Sequence, residues 1–214
     1  MTPESDLRHA PLRFSVAALE ARFRGSLERS ARHEPLRNPH HEPRVTARDR
    51  RRAVPASVLI PVVDHAGAPT LLVTRRHEQI SYAGHICFPG GRADAADRDV
   101  VETALREAHE EIGVAPEDVR VIGRLGDYVS HSGFRIAPIL GVLVPPIEVV
   151  PAPGEVEEIL EIPLDHVLDS RSYRLEPVAS RPPRGYFVLD YRGARITGPT
   201  VGLLIGLYEA LLRS

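Results

Sequence analysis

The chain of 214 residues has no lysine, no tryptophan and a single cysteine, Cys87. One cysteine excludes an internal disulfide, which favours a reducing compartment such as the cytoplasm. No stretch approaches the roughly 20 consecutive apolar residues that a membrane-spanning helix needs. The first residues, MTPESDLRHAPLRF, lack the apolar core of a signal peptide. These absences predict a soluble cytoplasmic protein with no membrane partner.

The charge balance excludes a second class of partner. The formal net charge is -2, and every one of the 27 cationic side chains is an arginine. Because a field of this sign does not attract a phosphate backbone, we expect no nucleic-acid partner. Hydrophobic residues at 43% and charged residues at 26% are typical of a globular protein.

The N-terminal part predicts a helix followed by a linker. In residues 15–30 apolar side chains recur at intervals of three and four after Ser15, a plausible N-cap. This stripe must pack on the main domain or on a second subunit, which would make a homodimer. Residues 31–52 hold seven arginines and three acids. We interpret them as a solvated linker, the alternative being that some arginines face an anionic ligand.

From Ala53 onward the sequence changes to short apolar runs separated by turns, so we divide the chain into residues 1–52 and a domain of residues 53–214. Strands are predicted at 53–63, 70–76, 119–129, 134–144, 156–162, 173–179 and 186–192. Helices are predicted at 99–112, at 163–169 with Pro163 in first position, and at 199–212. Strands mixed with two or three helices, without a regular βαβ rhythm, indicate an α+β domain with a mixed sheet.

The helix predicted at 99–112 carries the chemistry. Glu107, Glu110 and Glu111 share one face at its C-terminal end. Like charges at this spacing, near the negative end of the helix dipole, destabilise a helix unless a cation binds there. Carboxylate oxygens suit Mg²⁺ or Mn²⁺. The sequence therefore predicts a metal site on this face.

Neighbouring residues support the same interpretation. Gly90 and Gly91 precede the helix, and glycines let backbone groups approach a ligand or an ion closely. Arg106 can bridge to a carboxylate of the preceding loop and hold the ligands in place. Gly113 is a suitable C-cap for the helix.

Residues 88–114 resemble the Nudix box: G, five residues, E, seven residues, then REUxEExGU, with U aliphatic. Residues 106–114 fill the second half, with alanine at the first aliphatic position. The first half departs from it. Five residues separate Gly91 from the next position of the pattern, which is Asp97 instead of glutamate. Eight residues instead of seven then separate Asp97 from Arg106.

This resemblance implies a mixed sheet sandwiched between helices, in an α/β/α arrangement, and hydrolysis of a small nucleoside diphosphate derivative. It also implies roles. Glu107, Glu110 and Glu111 match the metal ligands, and Gly91 matches a glycine whose carbonyl adds a ligand. Arg106 matches the arginine that orients the glutamates.

A second resemblance concerns the substrate. Residues 71–92 are similar to the signature of the coenzyme A pyrophosphatase branch, roughly LLTxR[SA]x₃Rx₃Gx₃FPGG. Three positions depart: Val73, Arg76 and Ile80. The resemblance implies cleavage of coenzyme A to 3′,5′-ADP and 4′-phosphopantetheine. Isoleucine at position 80 cannot bind phosphate as an arginine would, although Arg76 could compensate.

Two alternatives stay open. One is a Nudix diphosphatase for another nucleoside diphosphate derivative, such as ADP-ribose or NADH. The other is a Nudix-fold ligand sensor that does not cleave. Sensors of that kind usually lose glutamates of the box, and all three are present here.

Further site residues are assigned by position. The family resemblance suggests a general base on a later loop, with Glu155 first and Glu158 second. Phosphate contacts are expected from Arg75, Arg76 and Arg135, and substrate contact from the backbone of Gly90. Among other residues near the predicted pocket, Tyr82 and Phe134 could stack on a base or pack in the core, and Cys87 is interpreted as an apolar filler.

Overall fold

The computed structural model describes residues 14–27, 46–130, 132–179 and 184–212. The helices are α1 (Val16–Phe23), α2 (Ala47–Arg52), α3 (Val100–Ile112), α4 (Leu164–Val167) and α5 (Gly198–Leu212). The strands are β1 (Val54–Val63), β2 (Thr70–Arg76), β3 (Ile86–Cys87), β4 (Gly90–Arg92), β5 (Arg120–Arg124), β6 (Tyr128–Val129), β7 (Phe134–Leu143), β8 (Val156–Pro163), β9 (Tyr173–Val178), β10 (Arg184–Tyr191) and β11 (Ala194–Ile196).

The main sheet is mixed. Its order is β3-β2-β1-β7-β5, with β4 also paired to β1, β6 to β7 and β8 to β2. β1 and β7 run parallel along their full length, from Val54 opposite Phe134 to Val63 opposite Leu143. The other pairings are antiparallel. β9, β10 and β11 form a separate antiparallel sheet.

Two apolar cores lie on opposite faces of the main sheet. On one face α3 buries Ala104, Ala108 and Ile112 against strand residues such as Leu59 and Leu72. On the other face a larger core joins the sheet to α1, α5 and the three-stranded sheet. Helices on both faces of a mixed sheet confirm the predicted α+β sandwich.

The predicted N-terminal helix is present and packs on its own chain. Ser15 caps α1, which ends at Phe23. Val16, Leu19 and Phe23 are buried in the larger core. Because this stripe is buried within the chain, it supplies no surface for a second subunit.

Several predicted elements need correction. The stretch interpreted as a linker contains α2, which begins with a capping box between Thr46 and Asp49; residues 31–45 lie outside the described part. The strand predicted at 119–129 is divided into β5 and β6, and β11 was not predicted. Pro163 is the N-cap of α4 instead of its first residue. Within the described ranges, no helix is both long and apolar enough to cross a membrane.

Candidate active site

Helix α3 fixes the carboxylates in three different environments. Asp99 caps its first turn by accepting hydrogen bonds from two backbone N–H groups, and Gly113 ends it with φ 73°. Glu111 is buried at 5% exposure. The side chain of Glu107 is 16% exposed and that of Glu110 is 53% exposed. The acidic face therefore runs from the protein interior out to solvent.

Strand β4 brings backbone directly against this face. The Gly90 N–H donates to Glu111 Oε2 at 3.3 Å. A Cβ atom on Gly91 would lie 2.3 Å from Glu107 Oε2, and one on Gly90 would lie 2.4 Å from the Ser57 carbonyl oxygen. Both glycines are needed because a side chain at either position would occupy space already filled.

Arg106 uses all five of its N–H groups, those of Nε and Nη2 toward the segment before the helix and those of Nη1 toward glutamates of the helix itself. Nε and Nη2 donate to the two oxygens of Asp97, each at 3.0 Å, and Nη2 also donates to the Arg92 carbonyl at 3.0 Å. Nη1 donates to Glu107 at 2.9 Å and to Glu110 at 3.1 Å. This single guanidinium therefore sets the positions of two glutamates of the box.

Asp97, where the sequence departs from the Nudix box, is the loop carboxylate that Arg106 needs. Its side chain is 5% exposed. It also accepts hydrogen bonds from the Asp94 N–H at 2.8 Å and the Thr103 hydroxyl at 2.9 Å. The Arg106 guanidinium holds the pKa of this carboxyl well below its usual range. Sequence reasoning missed Thr103 and Asp94, whose only signal is their spacing from Asp97.

Glu107 and Glu111 resist ionisation in the protein alone. Burial raises the pKa of Glu111 to about 7, although the Gly90 N–H and Arg76 oppose the shift, and burial also raises the pKa of Glu107. Arg76 Nη1 is 4.0 Å from Glu111 Oε1. Two desolvated carboxylates packed against glycine backbone are an oxygen donor set that fits a hard divalent cation.

Glu110 differs from its two neighbours because Arg106 holds it on the solvent side. In the part of the chain that the structure describes, no three His, Cys, Asp or Glu side chains converge where they could hold a metal ion. The three-glutamate site is therefore still a prediction, and Glu107 and Glu111 supply the structural fit for it.

The loop before β8 places Glu155 near the cluster. This loop is tied to the end of α3, since the Ala152 N–H donates to the Glu111 carbonyl at 2.9 Å. The charge of Glu155 contributes to raising the pKa of both Glu107 and Glu111. Glu158 lies instead on β8, opposite Arg75, with which it forms an ion pair at 3.0 Å. Of the two candidate bases, only Glu155 is close to the carboxylates.

The three candidate phosphate-binding arginines are in different places. Alternation along β2 puts Arg75 with Leu71 and Val73 on the face away from α3. Arg76 lies beside Glu111. Arg135 is half exposed and its ion-pair partner is Asp127, at 3.9 Å. The structure therefore brings only Arg76 to the glutamates.

The remaining candidates lie outside the group of glutamates. Cys87 hydrogen-bonds Thr74, and burial raises the pKa of its thiol, as expected for a structural cysteine. Phe134 lies under the Arg92 guanidinium, whose Cζ is 5.3 Å from the ring centre. His109 is exposed. Tyr82 is also exposed, at 60%, so it is not a core residue.

We expect Asp97→Asn to lower activity and divalent-cation affinity about 10- to 100-fold, as removal of a ligand-orienting partner typically does. The amide directs N–H groups at Arg106 or at the Asp94 N–H and Thr103 hydroxyl, so the guanidinium loses its anchor. Steady-state rates and Mn²⁺ titration measure the effect. Asp94→Asn is the matched control, because within the described residues the Asp94 side chain accepts only from the Ala96 N–H. Normal Mn²⁺ affinity in Asp97→Asn would contradict the assignment.

Glu111 should make the metal-free protein less stable as the pH rises. Its pKa is higher in the folded state (about 7) than the ordinary 4.5, so the cost of ionising it in the fold appears between pH 4.5 and 7. Relative to wild type, Glu111→Gln should gain up to about 3 kcal/mol at pH 8 and less than about 1 kcal/mol at pH 5. Urea unfolding in EDTA tests this, and a difference that does not change with pH would refute it.

Comparison with known proteins gives consistent results. Residues 53–181 match the family model described as the NUDIX domain. A protein named "Uncharacterized Nudix hydrolase NudL" from Pectobacterium atrosepticum is 38% identical over 151 residues, which cover 70% of this chain and 78% of that protein. A protein of the same name from Photorhabdus laumondii is 41% identical over 127 residues, 59% of this chain and 67% of its own.

Two solved structures are similar to part of this chain at low sequence identity. The Nudix hydrolase RenU of M. smegmatis has a TM-score of 0.47 and 22% identity, covering 55% of this chain and 74% of its own. An Ap4A hydrolase of C. elegans has a TM-score of 0.45 and 23% identity, covering 55% of this chain and 86% of its own.

Proposed function

The chain belongs to the NUDIX family, and from this premise we propose that it hydrolyses the diphosphate bond of coenzyme A or acyl-CoA with Mg²⁺ or Mn²⁺. The products are 3′,5′-ADP from either substrate, with 4′-phosphopantetheine from coenzyme A and its acyl derivative from acyl-CoA. The observation that carries the reaction type is a pair of carboxylates, the buried Glu111 and the partly buried Glu107, packed against the backbone of Gly90 and Gly91.

The residues of the proposed site have separate roles. Glu107 and Glu111, with Glu110 and the Gly91 carbonyl, would hold the cation, which neutralises diphosphate charge and makes a bound water nucleophilic. Arg106 orients Glu107 and Glu110 through Nη1. Glu155, close to both buried glutamates, is the proposed general base. Phosphoryl transfer depends mostly on such positioning and electrostatics.

The choice of coenzyme A is supported by the segment from Leu71 to Gly91. Leu71, Leu72, Arg75, Gly84 and residues 88–91 follow the signature in register. Arg76, beside Glu111, is the proposed phosphate contact in place of the arginine that Ile80 replaces. Arg135 is a weaker candidate because it is paired with Asp127. A cytoplasmic location remains a prediction from the single cysteine.

One experiment separates the candidate functions. The protein is incubated with Mg²⁺ or Mn²⁺ and, separately, coenzyme A, ADP-ribose, NADH and nucleoside triphosphates, and products are identified by mass. We expect 3′,5′-ADP and 4′-phosphopantetheine from coenzyme A. Turnover of ADP-ribose or NADH without coenzyme A would reject the proposed substrate, and no turnover of any of them would favour a sensor. The Glu111→Gln variant, run in parallel, controls for contaminating hydrolases.

A further inference from the structure

The loop of residues 77–85, between β2 and β3, carries an exposed aromatic residue whose backbone conformation costs free energy. Tyr82 is 60% exposed, the largest fraction for any large hydrophobic residue that the structure describes. Its φ is 61°, and among the described residues only Arg192 is another non-glycine with positive φ. Such a conformation costs a non-glycine residue free energy and occurs preferentially at functional sites. A turn with no other role would favour glycine or asparagine here.

Hydrogen bonds hold the loop backbone both before and after Tyr82 in the sequence. Arg76 Nε donates to the Ser81 carbonyl at 3.0 Å. The His85 N–H donates to the Tyr82 carbonyl at 3.1 Å, and the His85 ring meets the Tyr82 ring edge to face, with centroids 5.8 Å apart. The Gly84 N–H donates to the Arg76 carbonyl at 3.0 Å. These contacts hold the backbone of the loop, while the Tyr82 residue stays 60% exposed.

The same contacts place the loop beside the candidate active site. The guanidinium that binds the Ser81 carbonyl also lies 4.0 Å from Glu111. At the start of the loop, the His77 N–H donates to the Glu155 carbonyl at 2.9 Å. The loop therefore contacts both the loop of the proposed base and an arginine next to the proposed metal ligand. Tyr82 therefore belongs to a loop that borders the candidate active site.

We propose that Tyr82 is the stacking platform for the nucleobase of the substrate, a specificity-determining contact that rests on the proposed diphosphatase function. A flat, exposed ring matches the π face of a base, a group that only one half of the proposed substrate carries, and such stacking is strong. A flexible apolar arm, by contrast, is usually bound in a concave apolar pocket. The strained conformation keeps the ring directed outward in advance, which lowers the cost of ordering it when ligand binds.

The test measures binding of the two halves of the proposed substrate separately. Calorimetry with 3′,5′-ADP and with 4′-phosphopantetheine compares wild type with Tyr82→Ala, Tyr82→Phe and Tyr82→Gly. We expect Tyr82→Ala and Tyr82→Gly to weaken 3′,5′-ADP binding about tenfold or more. Tyr82→Phe should bind within about twofold of wild type. No variant should change binding of 4′-phosphopantetheine, which carries no base. In hydrolysis assays KM should rise with kcat nearly unchanged.

Two controls separate stacking from misfolding. Tyr186→Ala removes another partly exposed ring, at 36%, from the three-stranded sheet and should not affect binding. Tyr82→Gly relieves the strain of the positive φ, so its unfolding midpoint should equal or exceed that of Tyr82→Ala.

Unchanged 3′,5′-ADP binding in Tyr82→Ala, or an equal loss of binding for both halves of the substrate, would overturn the inference. If Tyr82→Ala hydrolyses coenzyme A with an unaltered KM, the stacking role of Tyr82 is rejected and the proposed diphosphatase function stands. Tyr82-dependent 3′,5′-ADP binding without turnover keeps the inference and rejects the proposed function.

Discussion

Replacing Glu111 by glutamine is expected to lower kcat by roughly three orders of magnitude or more while the protein stays folded. Glutamine keeps the shape of the side chain and can still accept the hydrogen bond from Gly90. It removes the buried negative charge that the cation would bind, and the charge on the transferred phosphoryl group then loses its main electrostatic partner. Initial rates at saturating Mn²⁺, together with circular-dichroism melting, measure the activity and the fold separately.

A matched control for this change is Glu117→Gln. Glu117 is an exposed glutamate just beyond α3, so its replacement removes one negative charge from the same region without touching the cluster. It should keep its rate within about twofold, since exposed charges contribute little. If Glu111→Gln retained a near-normal rate with metal present, Glu111 would not be a metal ligand.

Replacing Gly91 by alanine is expected to reduce activity about 100-fold with a modest loss of stability. The new Cβ would lie 2.3 Å from Glu107 Oε2, a contact that must be relieved. Because the clashing atoms are at the end of a flexible side chain, the Glu107 carboxylate can move away and the backbone can stay. That movement also disturbs the hydrogen bond between Glu107 and Arg106. Enzyme kinetics and thermal unfolding together give the two effects.

Two comparisons isolate the cause of this effect. In a Glu107→Ala background the clash is absent, so the stability cost of Gly91→Ala should disappear in a double-mutant cycle. Gly90→Ala should behave differently, because its Cβ meets backbone atoms of Ser57 and Val58 at 2.4 and 2.6 Å. That variant is expected to lose several kcal/mol of stability, as overpacking against backbone does. Equal stability costs of Gly91→Ala with and without Glu107 would refute the mechanism.

The elements of the site could be predicted from sequence because their signals are local. Helix α3 begins after a capping aspartate, Asp99, and ends at Gly113, and both residues occur where helix signals place them. The acidic spacing then indicates the face of the helix. The strand pattern predicted a mixed sheet around it and the family resemblance predicted helices on both faces, and the structure confirms both.

Contacts between distant segments could not be predicted in the same way. Arg75 and Arg76 are adjacent residues of the same type, yet strand alternation directs only Arg76 toward α3. Which of the two faces the helix depends on which face of β2 the helix covers. The acceptors of Arg106 depend on the path of residues 92–99, for which no periodic pattern exists. Burial likewise separates Glu111 from Glu110, although the two are neighbours in sequence.

The bond between Asp97 and Arg106 has a consequence for how this loop can vary. Aspartate is one methylene shorter than the glutamate of the Nudix pattern, and the segment that carries it is one residue longer. Both oxygens of Asp97 nevertheless reach the guanidinium at 3.0 Å. Chain length and side-chain length thus compensate for each other across this bond. A change of acid type alone, or of loop length alone, is therefore expected to disturb this bond.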